Sequence, residues 1–239
     1  MTADLATRTR RSDRYGAVAE GAPLDIGIGP PGSLLGVDGA LKRTFDIVFA
    51  ATAILVLLPV LLLLAAAVKL SCRGPVLFSH VRIGRGGRAF RCLKFRSMCV
   101  DGDAVLAAHL EASPEAQIEW NATRKLRRDP RVTAIGRFLR KSSLDELPQL
   151  LNILRGDMSV VGPRPVVSDE LDLYGANARY YLAARPGLTG LWQISGRNDV
   201  SYSARVNFDR SYAENWSLLG DVAIIMKTVP AVLSSRGTY

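Results

Sequence analysis

Between Asp46 and Lys69 the chain runs for 22 residues, Ile47 to Val68, without a charged side chain. A helix of about 20 apolar residues is what a hydrocarbon core about 30 Å thick requires, so this run predicts a membrane-inserted segment. Pro59 divides it into arms of 12 and 9 residues, roughly 18 and 13 Å long at about 1.5 Å per residue. Each arm therefore reaches only about halfway across. Lys42 and Arg43 precede the run and Lys69 and Arg73 follow it, and positive residues on both flanks fit two ends held on the cytosolic side. On charge alone, a single signal-anchor helix kinked at the proline fits equally well.

Beyond Gly74-Pro75, the β-prone runs Val76 to Ile83 and Arg88 to Met98 flank Gly84-Arg85-Gly86-Gly87, which predicts a hairpin. A phosphate-cradling loop is the sharper reading of those glycines, but no Gly-Lys-Ser/Thr opens a helix after them. Residues 101–120 read as helical with a break at Pro114. A further helix is expected from about residue 144, with Leu147, Leu150, Leu151 and Leu154 on one face. Val222 to Leu233 is apolar apart from Lys227 and Thr228 and too short to span, so it should lie in the interface or pack on the core. Residues 1–40 carry Arg8, Arg10, Arg11 and Arg14 and a Gly/Pro-rich stretch with no sustained period, the composition of a mostly disordered tail.

The organisation expected is thus a tail (1–40), a membrane-inserted segment (41–73) and one catalytic domain (74–239). The fold class is α+β, mainly helical, with a small β-hairpin. At 239 residues the chain suits one core plus extra pieces. Lys and Arg exceed Asp and Glu by 31 to 22, so the partner should be anionic: nucleic acid, acidic lipid or a phosphorylated metabolite. Aromatic residues are 7% of the chain and do not interleave with the basic runs, which disfavours single-strand nucleic-acid binding. Cys72, Cys92 and Cys99 have no metal-ligand spacing, and His80 and His109 stand far apart. A disulfide framework, a histidine metal site and a Ser/His/Asp triad are all disfavoured.

The candidate chemistry sits in Arg140-Lys141-Ser142-Ser143-Leu144-Asp145-Glu146-Leu147-Pro148-Gln149. Ser143 and Glu146 have capping-box spacing, which places Asp145 and Glu146 near a helix start. They could simply complement the helix dipole there. Eight Lys/Arg against the single acid Asp129 between residues 124 and 141 shift that balance. Adjacent carboxylates among cations suit Mg²⁺, which takes oxygen ligands and shares them with substrate phosphates, while arginine forks hold phosphate oxygens.

From about Leu41 onward the sequence resembles the bacterial sugar transferases, the small monotopic phosphoglycosyl transferases. The likeness is carried by Lys42-Arg43-Thr44-Phe45-Asp46, Lys94-Phe95-Arg96-Ser97-Met98, Leu144 to Gln149, Gly156-Asp157-Met158-Ser159, Gly162-Pro163-Arg164-Pro165 and Arg185 to Gly190. It implies a monotopic protein of the bacterial inner membrane, with a re-entrant helical hairpin, interfacial amphipathic helices and an active site facing the cytosol beside inner-leaflet phospholipid. It further implies that Asp145 is the nucleophile, that Glu146 completes an acidic pair around Mg²⁺, and that Pro163, Arg164 and Pro165 contribute to a UDP site. Lys94, Arg96 and Arg140 become candidates for phosphate contact, and Arg197 for substrate contact. The usual Ser-Pro at the bend is here Leu58-Pro59.

The reaction implied is transfer of hexose 1-phosphate, galactose or glucose, from UDP-hexose to polyprenyl phosphate, releasing UMP. It would begin exopolysaccharide synthesis, with no nucleic-acid partner and with homo-oligomerisation left open. The competing readings are a membrane-tethered basic protein that binds anionic lipid or nucleic acid, and a glycosyl transferase that releases UDP.

Overall fold

The computed structural model describes residues 39–195 and 201–233; the expected tail lies outside these. Helix α1, Ala40–Ser71, runs unbroken through Pro59. The missing proline N–H removes one intrahelical bond, which a long helix tolerates with local bending. It is the one described helix long and apolar enough to cross a membrane.

The expected hairpin forms from β1, Leu77–Ile83, and β2, Ala89–Phe95, antiparallel from Leu77↔Phe95 to Ile83↔Ala89. Gly86 takes φ 64° in the turn, a left-handed conformation that glycine adopts without a Cβ penalty. Helices α2, Gly102–Ala112, and α3, Pro114–Thr123, break at Ser113, whose side chain caps α3. Then follow α4, Ala134–Ser142, a 3₁₀ turn at Leu144–Glu146, and α5, Gln149–Arg155. The second half holds β3, Ser159–Val161, α6, Ser168–Asp172, α7, Ala178–Ala183, and β4, Gly187–Thr189. It ends with α8, Leu191–Ile194, α9, Tyr202–Glu214, and α10, Leu218–Leu233. β3 and β4 pair in parallel. Strands of three residues carry too little periodicity to be read from sequence.

Both arms of α1 rest on the body of the protein. Ala50 belongs to a core with Phe90, Cys92, Leu150, Ile153 and Tyr212, and Leu64 and Val68 to one with Phe95 and Leu139. β2 thus supplies residues to both. Between the two docked ends Leu55, Val56, Leu58, Leu62 and Leu63 are exposed.

The first turns of α1 are pinned by buried charge. Lys42 Nζ lies 2.7 Å from Asp221 Oδ2 and 3.8 Å from Asp46 Oδ1. Asp46 accepts from Ser159 Oγ and Val160 N at 2.9 and 3.0 Å, and Asp221 from Tyr212 OH and Trp216 Nε1. Arg43 donates to the Ile153 and Leu154 carbonyls at the end of α5, where a cation also complements the helix dipole. The Lys42 to Asp46 motif is therefore a clamp between α1 and the body. Removing one partner of such a cluster strands a buried charge, at about 3–5 kcal/mol. Lys42→Ala should lower the melting temperature of the solubilised protein by on the order of 10 °C; an unchanged melting temperature would show that the clamp contributes nothing.

Two expectations are corrected. Ser143 makes no capping bond and has φ 57°, closing α4 rather than opening a helix. And α5 turns Gln149, Leu150, Asn152 and Ile153 inward, leaving Leu151 and Leu154 exposed. The polar Asn152 wins the inner face because it pairs with β2: its side chain accepts from Leu93 N at 3.0 Å and donates to Arg91 O at 2.8 Å. α10 packs on the core through Asp221 and Ile224, as one of the two expectations had it, while Leu219, Val222, Met226 and Val229 are exposed.

Candidate active site

The acidic pair is placed by two supports. On one side, Thr133 caps α4 by accepting from Gly136 N at 3.0 Å and donates its own N–H to Ser97 O. Gly136 sits so close that a Cβ there would meet Ser97 O at 1.9 Å. Arg140, near the other end of α4, returns to the same residue, donating from Nε to Ser97 Oγ at 2.8 Å. On the other side, Asn152 fixes α5 to β2. The 3₁₀ turn between them holds Asp145 buried and Glu146 half-buried.

Lys94, from β2, faces both carboxylates. Its Nζ donates to Glu146 Oε1 at 2.6 Å and lies 3.9 Å from Asp145 Oδ2. The two acids therefore converge on one cationic centre. Burial pushes the Asp145 carboxyl up to about 6, with Lys94 opposing, Glu146 adding and Arg140 opposing. At neutral pH it remains mostly ionised yet poorly solvated, the state expected of a nucleophile.

No group of three or more His, Cys, Asp or Glu placed for a metal occurs among the described residues. The carboxylates gathered at Lys94 are those of Asp145 and Glu146. That donor set fits Mg²⁺, which usually binds through one or two carboxylates plus phosphates.

A second locus lies further along the same hairpin. The Gly162 to Val166 loop is held on both sides: Gly162 N donates to Thr189 O, Gly187 N to Pro163 O, and Val166 N to Tyr181 OH. Arg164 leaves this loop with its guanidinium 5.6 Å from the Trp192 ring centroid, and Arg205 lies 4.3 Å from the same ring. The buried side-chain atoms without a hydrogen-bond partner are Glu170 Oε2, Trp192 Nε1, Gln193 Oε1 and Arg205 Nε, among the described residues. Arg82 feels Arg164 and Glu170 and is lowered chiefly by burial, then by Arg164.

Of the residues expected at the site, Asp145, Glu146, Lys94 and Arg140 come together, while Arg164 stands at the second locus with Pro163 and Pro165 shaping its loop. Arg96 is spent elsewhere, donating to the Cys72 and Arg73 carbonyls at 2.6 and 2.8 Å to fasten the exit of α1. Arg197 lies outside the described residues. Arg82, Glu170, Trp192 and Arg205 were not anticipated. The available signal was strand parity, since the register puts Arg82 and Lys94 on one face of the hairpin.

Asp145, buried, and Glu146, half-buried, thus face Lys94 close to the long apolar helix α1. The chain belongs to the bacterial sugar transferase family, whose model matches residues 37–235. It is 58% identical over 208 residues to the exopolysaccharide production protein ExoY of Rhizobium meliloti, covering 87% of this chain and 92% of that protein. It is 40% identical over 244 residues to the UDP-glucose:undecaprenyl-phosphate glucose-1-phosphate transferase of Caulobacter vibrioides, covering 95% and 85%. With the undecaprenyl-phosphate galactose phosphotransferase of Salmonella typhimurium it shares 52% identity over 199 residues, 83% of this chain but 42% of that longer protein.

Proposed function

We propose that the chain transfers hexose 1-phosphate from UDP-galactose or UDP-glucose to polyprenyl phosphate, releasing UMP as the first step of exopolysaccharide assembly. Relatives named for these reactions support the overall transfer. The observation that carries the mechanism is the convergence of Asp145 and Glu146 on Lys94. A protein that only bound anionic lipid would need surface cations and no pair of carboxylates converging on one lysine.

In this mechanism an Asp145 carboxylate oxygen attacks the β-phosphorus, the bond to the α-phosphate bridging oxygen breaks, and UMP leaves. Polyprenyl phosphate then attacks the same phosphorus, breaking the acyl phosphate and restoring the carboxylate. Mg²⁺, held by Asp145 and Glu146, would supply charge neutralisation at the phosphoryl oxygens. Lys94 and Arg140 hold positive charge beside the reacting group, and Glu146 positions the acceptor. UMP release from a panel of UDP-sugars, with polyprenyl phosphate supplied, tests the transfer. Release of UDP instead would mean a glycosyl transferase.

The acceptor is a lipid, and the reading places this body on the cytosolic face of the inner membrane with α1 re-entrant. Support comes from the docking of Ala50 and of Leu64 and Val68, on opposite sides of Pro59, against the same body. Exposed Phe138, Leu151, Leu154, Leu219 and Met226 beside Lys141, Arg155 and Lys227 suit the headgroup level. Single cysteines placed before Ala40 and after Gly74, on a Cys-free background, should both be shielded from an impermeant thiol reagent in intact cells. Labelling of the N-terminal position alone would mean a full span.

A further inference from the structure

The hairpin face that carries Lys94 is covered over one strand and open over the other. Over β2, Phe90 and Cys92 are only 5% and 4% exposed and pack in the core with Leu150 and Ile153 of α5. Over β1, Phe78 is 51% exposed and His80 is exposed as well. Phe78 pairs with Lys94 and His80 with Cys92, and side chains directly opposite in an antiparallel pair stand about 5 Å apart at Cβ. Two exposed rings therefore border the lysine that faces both reacting carboxylates.

The rings act together. Their centroids are 6.5 Å apart and their planes are inclined at 50°, so they present one aromatic surface. His80 Nδ1 lies 3.0 Å from Val81 O. A carbonyl only accepts, so the neutral imidazole carries its proton on Nδ1 and leaves Nε2 as a lone-pair acceptor. This wall of the site thus offers aromatic faces and one acceptor, and neither a donor nor a charge for an anion.

That chemistry selects the ligand. An ionised phosphate has no proton for Nε2 and no C–H face for the rings. An isoprenoid chain would cover the rings but brings no hydroxyl. A hexose supplies both, through the C–H groups on a face of its ring and the hydroxyls around it.

Position agrees with chemistry. The likeness to sugar transferases puts the nucleotide at the Pro163-Arg164-Pro165 loop, whose Arg164 is felt by Arg82 at the far end of the same face. Cys92, opposite His80, is pushed up to about 11 by burial and feels Lys94 and Glu146 as well as Arg82 and Arg164. His80 therefore stands between the two loci. In an in-line displacement the attacking and leaving oxygens are roughly collinear with phosphorus, and the hexose oxygen is one of the three equatorial ones. The sugar is turned off the line from Asp145 to the nucleotide, and β1 is the wall that α5 leaves uncovered.

We propose that Phe78 and His80 form the hexose subsite of the donor, Phe78 packing on a C–H face of the sugar ring and His80 Nε2 accepting from one of its hydroxyls. The inference rests on the UDP-hexose reading above and places discrimination among sugars on β1.

The test reads kcat/KM for UDP-galactose, UDP-glucose and their 2-, 3-, 4- and 6-deoxy analogues, from UMP released with polyprenyl phosphate supplied. UMP affinity is read by calorimetry on the solubilised full chain. Phe78→Ala should lower kcat/KM for UDP-hexose about tenfold, the scale of an aromatic packing contact, and Phe78→Tyr should retain it. UMP, which carries no hexose, should bind these variants as it binds the wild type. In the wild type, loss of the hydroxyl that meets His80 should cost about fivefold, the scale of a neutral hydrogen bond, and His80→Ala should erase that difference. A Phe78→Ala protein with wild-type kcat/KM for UDP-hexose would overturn the proposal. So would an equal loss of UMP affinity, which would make the rings a base platform, or a loss confined to polyprenyl phosphate, which would make them an isoprenoid contact. His80→Ala with undiminished discrimination against every deoxy donor would remove His80 from the subsite. Wild-type protein that releases no UMP from either UDP-hexose would sink the transferase reading itself, and this is read before any variant, so the two failures are distinguishable.

Discussion

Asp145→Asn should abolish turnover, reducing the rate by about three orders of magnitude or more, as removal of a nucleophile does elsewhere. An amide has no anionic oxygen with which to attack phosphorus. The substitution is nearly isosteric, and Asp145 pays for its burial with a carboxyl pushed up to about 6, so the folded protein should be no less stable than the wild type. Activity and stability therefore separate. An amide variant that keeps substantial UMP release would remove Asp145 from the reaction. The same burial predicts that the acid limb of the rate profile lies at or below about pH 6, because protonation below that point blocks attack. A bound cation stabilises the carboxylate and moves this limb further down.

Chelation of divalent metal should have an effect of similar size. Without a cation, a diphosphate approaching Asp145 and Glu146 meets two carboxylates with Lys94 as the one ion-pair partner they have among the described residues. Lys94 balances one negative charge at most. Excess EDTA should bring UMP release to background, and Mg²⁺ should restore it. Glu146→Gln should raise the Mg²⁺ concentration needed for half-maximal activity, because it removes one of the two anionic groups. Full turnover in EDTA would show that Lys94 and the arginines suffice.

Much of this arrangement was legible along the chain. The apolar run of α1, the glycine-bounded hairpin and the Asp145-Glu146 pair each have a local signature: uncharged length, β-prone flanks, adjacent acids among cations. What escaped reading depends on contacts distant in sequence. Ser143 and Glu146 have capping-box spacing, yet the residue closes α4 because Gly136 and Arg140 lock that helix onto Ser97. Leucine periodicity put Leu151 and Leu154 on one face with Leu147 and Leu150, but of these only Leu150 is buried, because Asn152 takes the inner face by bonding β2. Arg96, within a motif that looks phosphate-binding, spends its donors on the end of α1. Arg82, Arg164, Glu170, Trp192 and Arg205 gather from five separate segments, and no window of sequence contains them together.

The covalent route is tested most directly by withholding the acceptor. Purified protein in membranes, given UDP-hexose and Mg²⁺ without polyprenyl phosphate, should release UMP up to one equivalent of enzyme and then stop. Mass spectrometry after rapid quenching should find a hexose-phosphate adduct on the peptide containing Asp145, absent from Asp145→Asn and lost when polyprenyl phosphate is added. Turnover that requires both substrates together, with no UMP burst and no adduct at any quench time, would contradict the account.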